Sequence, residues 1–381
     1  MKFWSRVTLV VTGLTCAWIT GVVMVGRVSA QAPTRLTAGQ AFKNVTTSTL
    51  KELPVDDFIQ SMGIIASALG FDCSDCHPGA GTDKVDWVFD TPRKRTARRM
   101  VEMVATINRA NFGGGQRVTC WTCHHGRTTP ATSVALDNWY GSPNSEVDDV
   151  VAEESDQPSV DQVLKKYIDA IGGAQRLAGL TSFVATGEAL GFGGFGGGGE
   201  WTVYAKRPSQ RTTIITYKDH PDRGKSVWTF DGSAGWMGMP RSLLGSWEQV
   251  GGDLDGARFE AQMSFPGNIT QYLTNLRVGA RRAIGDRDYR IVQGSGPRGF
   301  LATFYFDQDT GLLARMIRLS PTPIGRMQIQ TDFADYRDVG GIKFPFEHKY
   351  LWLDGRYTAK VKEIKVNAPI DAVNFGQALV K

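Results

Sequence analysis

Two short segments hold the residues best placed to do chemistry. "CSDCH" (Cys73–His77) and "CWTCH" (Cys120–His124) each set two thiols three positions apart and follow the second directly with an imidazole. Two thiols one turn apart reach the two vinyl groups of a single porphyrin, and the adjacent histidine is then aimed at the iron as an axial ligand. A zinc ribbon also uses two C-x-x-C pairs, but it needs neither following histidine. A dithiol redox pair calls for a βαβ setting, and neither segment has one. Of the five cysteines, all but Cys16 sit in these pairs, so none is left for a structural disulfide. The expected cofactors are two covalently bound haem c groups on Cys73, Cys76, Cys120 and Cys123, with His77 and His124 ligating the irons.

The opposite axial positions need further donors. The chain has five histidines and two are already used, so methionine is the natural choice. "DDFIQSMGIIASALGFDC" predicts a helix over Val55–Leu69, with Asp56 and Asp57 near its positive end and Gly70 ending it. Phe58, Met62, Ile65 and Leu69 fall on one stripe of that helix. Met62 is the expected distal ligand of the first site; the alternative is ordinary core packing. "DTPRKRTARRMVEMVATINRANFGGG" predicts a second helix, with Thr91 as cap and Pro92 in its first turn. Its apolar face carries Met100, Met103, Val104 and Ile107. Met103 is the expected distal ligand of the second site, with Met100 as its rival. His125 lies too close in the chain to His124 to reach the far side of the same haem.

The order helix, Met, "LGFDCSDCH", then a basic helix ending "MVATIN" and "VTCWTCHHG", resembles part of the tetrahaem cytochrome subunit of photosynthetic reaction centres, over about residues 56–127. The resemblance implies methionine ligands on the helices that precede the clamps, which supports Met62. It also implies a role in feeding electrons to a membrane photochemical complex. One haem of that family takes a histidine from a distant part of the chain, and this sequence has two haem sites only. The five basic residues of "PRKRTARR" read as a solvated helix face, or as partners for haem propionates or an acidic redox protein. Trp87 and Trp121 lie near the clamps and are expected to pack on the haems.

Around these sites the 381-residue chain is long enough for more than one domain, and 41% hydrophobic with 21% charged residues fits a folded protein. The net charge of +5 comes without a polybasic tail, so no nucleic-acid partner is expected. Lys2 and Arg6, an apolar run from Val7 to Val25 and "VSA" ending at Ala30 predict an export signal or a retained anchor over 1–30. A di-haem cytochrome domain is expected over 37–140. "GSPNSEVDDVVAEESDQPS" holds six acidic residues and no basic one, which predicts a linker over 141–159. Residues 160–381 begin with one helix, "VDQVLKKYIDAIGGAQRLAGL", with Val163, Leu164, Tyr167, Ile168 and Ile171 inward and a Gly-Gly stop, and continue as alternating segments with turn sequences such as "DGSAG" and "DQDTG".

That layout resembles the half-barrel of periplasmic lipoprotein carriers, most closely in "YIDAIGGAQRLAGLTSFVATGEA" and "VGGIKFPFEHKYLW". It implies a cavity for a hydrophobic ligand or a docking surface. "GFGGFG" (Gly191–Gly196) satisfies G-x-G-x-x-G but precedes a strand, so a hairpin loop is expected in place of a nucleotide site. His220 and His348 read as surface or packing residues. The expected fold class is multidomain: a mainly α multihaem c-type cytochrome domain, then an antiparallel curved sheet, a half-barrel, enclosing a helix. The expected function is non-enzymatic: an exported di-haem carrier of single electrons between periplasmic or membrane redox partners, a reaction centre or a respiratory complex among them. Its location would be the periplasm, either soluble or tethered to the inner membrane by the N-terminal segment. The rivals are a di-haem peroxidase-like enzyme and a lipid or lipoprotein carrier with accessory haems.

Overall fold

The structure is a computed structural model and describes residues 36–130, 132–133, 157–191, 198–217, 224–239, 244–322 and 324–380. The expected export segment with Cys16, most of the acidic linker, most of the glycine loop and His220 lie outside the described residues. The chain divides into Met1–Leu36, of which Leu36 alone is described, and one compact unit over Thr37–Lys381.

The N-terminal part of that unit is helical. One helix runs Val55–Leu69 and stops at Gly70, whose φ of 67° is left-handed. A second runs Pro92–Phe112; Thr91 caps it by accepting the Lys94 N–H at 3.2 Å, and Gly113 ends it with a φ of 59°. The starts and stops read from the sequence follow from this capping chemistry. Two four-residue helices, Ala38–Ala41 and Ser48–Lys51, precede them. The Glu102 carboxylate holds the second of these by accepting from Ser48 Oγ and from the Thr49 N–H, both at 2.9 Å.

The rest is a sheet. Among the described residues thirteen strands are antiparallel neighbours: β1 (Ser182–Leu190), β2 (Gly199–Lys206), β3 (Gln210–Tyr217), β4 (Lys225–Phe230), β5 (Gly235–Gly238), β6 (Ser246–Glu248), β7 (Thr274–Ile284), β8 (Arg287–Ser295), β9 (Leu301–Asp307), β10 (Leu313–Thr322), β11 (Gly325–Val339), β12 (Ile342–Trp352) and β13 (Gly355–Val366). Their order is β6-β5-β4-β3-β2-β1-β13-β12-β11-β10-β9-β8-β7. The β1–β13 register shifts between Thr186 and Gly187, where a Cβ on Gly187 would stand 2.1 Å from the Lys360 carbonyl oxygen. Only glycine fits that approach.

The sheet is strongly curved. A helix over Gly251–Met263 touches β3, β4 and β5 on one side and β10 on the other. On a flat sheet β3 and β10 would lie about 29 Å apart, roughly three helix diameters. Both reach one helix only because the sheet wraps it. Little in its sequence announces this helix: "GGDLDGARFEAQM" opens with two glycines and lacks a clean apolar stripe. The helix expected after the linker is real but shorter, Val160–Ala170, because Gly172 and Gly173 take φ values of 130° and 85° and break it before Ala174–Ala178. Its inward residues are Val163, Leu164 and Tyr167, with the Tyr167 ring 5.1 Å from that of Phe306.

Two sheet turns complete the core of the helical part. Leu50, Leu53, Ile64 and Val101 form a small apolar cluster with Ile324 from the β10–β11 turn, and Leu353 from the β12–β13 turn packs against it. Gln116 Nε2 donates to the Thr322 carbonyl at 2.8 Å. Asp56, at the start of the Val55–Leu69 helix, is buried, and its carboxylate accepts the Val250 N–H at 3.1 Å.

Candidate haem site

Each C-x-x-C-H segment is a short helical turn placed by what precedes it. Asp72 accepts the Ser74 N–H at 2.7 Å and starts a 3-10 turn over Cys73–Asp75, while Thr119 precedes a five-residue helix over Cys120–His124. His125 then takes a left-handed φ of 49° and ends it. The two clamps are brought side by side. The Gly126 N–H donates to the Ala68 carbonyl at 2.9 Å, and a Cβ on Gly70 would stand 2.4 Å from the Gly126 carbonyl oxygen. Gly70 lies just before the first clamp and Gly126 just after the second, so backbone contact without side chains sets their approach.

These residues fit covalent haem. All four cysteines are thiols with no disulfide between them. Loss of hydration raises the Cys76 and Cys120 thiols above their usual range, the opposite of an activated redox pair. His124 Nδ1 lies 2.9 Å from the Arg127 carbonyl, and an Nδ1–H donating there leaves Nε2 as the ligating lone pair. His77 Nδ1 is buried and has no hydrogen-bond partner. Burial, helped by Lys94, pushes the His77 imidazole down to about 4, so it is neutral at neutral pH and able to ligate a metal. Trp121, within the second clamp, is exposed, and so are Val88, Phe89 and Phe112, the kind of apolar surface a macrocycle covers. Among the described residues no three His, Cys, Asp or Glu side chains converge on one metal position, so the four thiols do not assemble as a zinc ribbon's would.

The distal candidates sit on the two long helices. In Val55–Leu69 the face turned into the protein is Asp57, Ser61, Ile64 and Ala68, all buried. The stripe expected from the sequence, Phe58, Met62, Ile65 and Leu69, is half-buried and adjoins it. Met62 is therefore on a partly open apolar face. In Pro92–Phe112 the inward face is Lys94, Val101 and Asn108. Met103 lies nearly opposite Val101 and is 44% exposed, whereas Met100 is half-buried on a stripe with Val104 and Ile107.

The basic run is largely committed to local contacts, which charge counting did not reveal. Lys94 is buried, donates to the carbonyls of Trp87 at 3.0 Å and Phe89 at 2.8 Å, and has its ammonium lowered by burial. Arg93 pairs with Asp75 and lies 4.7 Å from the Phe71 ring centroid. Arg95 and Arg98 both pair with Asp90. The run thus fixes the loop after the first clamp. Trp87 packs with its ring 4.9 Å from that of His77, and Trp121 lies 5.8 Å from His125. No described helix is long and apolar enough to cross a membrane. His348 is half-buried among Trp201, Phe333 and Tyr350, a packing position as expected.

Among curated proteins none matches this sequence. Solved structures similar to the chain include a LolA superfamily protein of Nitrosomonas europaea, at 15% identity over 58% of this chain and 99% of that one, with a TM-score of 0.40. A DUF1329 family protein of Desulfovibrio piger has 10% identity over 59% and 100%, with a TM-score of 0.41. An outer membrane lipoprotein-sorting protein domain of Vibrio parahaemolyticus has 8% identity over 57% and 99%, with a TM-score of 0.38. The stretch bearing both clamps and both methionine helices is similar to a known family: residues 18–165 match the family described as the photosynthetic reaction centre cytochrome C subunit.

Proposed function

We propose that the protein is an exported c-type cytochrome with two haems that carries single electrons between redox partners and catalyses no bond chemistry of its own. The observation that carries this reading is the pair of C-x-x-C-H turns locked side by side through Gly70 and Gly126, within the segment that matches the cytochrome family. Haem supplies the one-electron couple at its iron, and the protein fixes the axial ligands and excludes water. In this reading Cys73 and Cys76 hold one group and Cys120 and Cys123 the other, with His77 and His124 on the irons. Met62 serves the first site. At the second, half-buried Met100 suits the role better than outward-facing Met103.

The docked sheet keeps the Met62 helix in place: Asp354 of the β12–β13 turn lies against Gly63, where an added Cβ would meet its carboxylate at 3.5 Å. The partners in this reading are proteins of a periplasmic electron-transfer chain, with a reaction centre or a respiratory complex as the acceptor and no nucleic acid. A second reading rests on the cavity of about 120 Å3 inside the curved sheet, which suits a hydrophobic ligand.

A redox titration followed by absorption spectra tests the main reading, because it counts haems and types their ligands together. Two low-spin couples that neither cyanide nor peroxide perturbs are expected. A high-spin fraction that reacts with peroxide would replace the carrier by a peroxidase-like enzyme.

A further inference from the structure

The turn between β12 and β13 brings a charged group to the first clamp. Its two residues are Leu353 and Asp354, between the paired Trp352 and Gly355. The Asp354 carboxylate lies over Gly63, where an added Cβ would stand 3.5 Å from both of its oxygens. Gly63 is buried in the Val55–Leu69 helix and follows Met62 directly, so no side chain separates the acid from the backbone beside that residue. The Trp352 indole N–H donates to the carboxylate and holds it there. The same charge reaches Cys73: loss of hydration first, and then Asp354, raise that thiol. Asp354 is thus close both to the helix that carries Met62 and to the thiol that opens the first clamp.

The other charges at this clamp are engaged locally. Asp75 pairs with Arg93, and Asp72, which also acts on Cys73, accepts the Ser74 N–H to start the turn. Lys94, the ammonium near Cys76 and His77, donates to the carbonyls of Trp87 and Phe89. Among the described residues no Lys, Arg or His pairs with Asp354. Turn chemistry alone accounts for an acid before Gly355, but Asn would serve the turn as well and could accept the Trp352 N–H. What Asn lacks is the charge. A carboxylate near a haem favours the oxidised iron, which carries one more positive charge. Asp354 is an exposed residue, so solvent and salt screen part of this effect.

We propose that Asp354 lowers the reduction potential of the first haem, so that the curved sheet sets the redox poise of a site held by the helical part. The proposal rests on the haem reading and deepens it. Asp354 takes no ligand position; it acts through its charge, and Gly63 and Trp352 keep that charge in place.

The test is a redox titration of the haem-loaded full chain at low salt and neutral pH, wild type beside Asp354→Asn. The couple missing from Cys73→Ala/Cys76→Ala identifies the first haem. In Asp354→Asn that couple is expected to rise: at a fixed potential its reduced-to-oxidised ratio should increase at least threefold, about 28 mV at 59 mV per tenfold. The second couple should move less than half as far, and Asp354→Glu should keep both close to wild type. Where the Asn variant does not load haem, Asp354→Ser is read in its place. A first couple that stays or falls, two couples that rise equally, or a Glu variant that behaves as the Asn variant does would overturn the proposal and leave Asp354 a turn residue, with the two haems still attached. A chain without Soret absorption would overturn the haem reading itself, and this proposal with it.

Discussion

Replacing Asp56 by Asn should stabilise the protein at neutral pH and change it little near pH 4. Asp56 is 5% exposed at the start of the Met62 helix, and Asp57 beside it is also buried. Burial first, and then the Asp57 charge, pushes the Asp56 carboxyl up to about 6 from an ordinary 3.8. Asp57 is also raised to about 6, by burial and by Asp253 of the Gly251–Met263 helix. Asp253 is itself raised to about 6 by burial and by Asp56, with Arg318 pulling it back. The fold therefore binds a proton at Asp56 more tightly than the unfolded chain does. That contribution is fully present below about pH 3.8, declines as pH rises, and is gone above about 6.

A shift of about two pH units corresponds to about 3 kcal/mol between the charged and neutral forms. Asn keeps an oxygen to accept the Val250 N–H and carries no charge. Because Asp57 and Asp253 relax when Asp56 is neutralised, the gain expected at pH 7.5 is about 1–3 kcal/mol, shrinking toward zero at pH 4. Urea unfolding of both proteins at pH 4.5 and 7.5 measures it. A variant less stable than wild type at pH 7.5, or a difference equal at both pH values, would refute the reasoning.

Met62→Ala should lower the potential of the first haem and make it partly high-spin, seen as loss of part of the near-infrared methionine band; an unchanged spectrum and titration would make Met62 a packing residue. Met100→Ala should do the same at the second haem while Met103→Ala leaves the spectrum intact, and the reverse pattern would return the ligand role to Met103. Ile324→Ala removes a sheet-turn side chain from the core of the helical part and should cost about 2–4 kcal/mol in urea unfolding. A loss within experimental scatter would mean that the turn rests on the helices without stabilising them.

The sequence was most legible where local chemistry decides. Thr91, Pro92 and Gly113 bound the basic helix, and Gly70 ends the Met62 helix, because caps and left-handed glycines act within a few residues. The clamps were legible for the same reason: the spacing of thiols and imidazole is a local constraint. What depended on distant partners was not. Asp56 reads only as an acid at a helix start, because nothing local announces Val250. Lys94 looked like one charge among five, although the loop carbonyls of Trp87 and Phe89 take it out of solvent.

The Gly251–Met263 helix escaped notice because its stability comes from the sheet wrapped around it more than from its own pattern. On the Pro92–Phe112 helix, periodicity placed Met100 and Met103 on one face. Packing separates them, since Val101 fixes which side turns inward. Arg211 gave no signal in sequence and His348 read only as a surface or packing residue, for they meet only when β3 and β12 curve around one cavity.

The most direct test of the central claim is intact mass, read with a Soret spectrum, on the protein purified from a host that exports it and attaches haem. Covalent attachment at both clamps predicts a mass above that of the mature polypeptide by two haem groups, and Cys73→Ala/Cys76→Ala should remove one of them. A mass equal to the polypeptide alone, with no Soret absorption, would contradict the account.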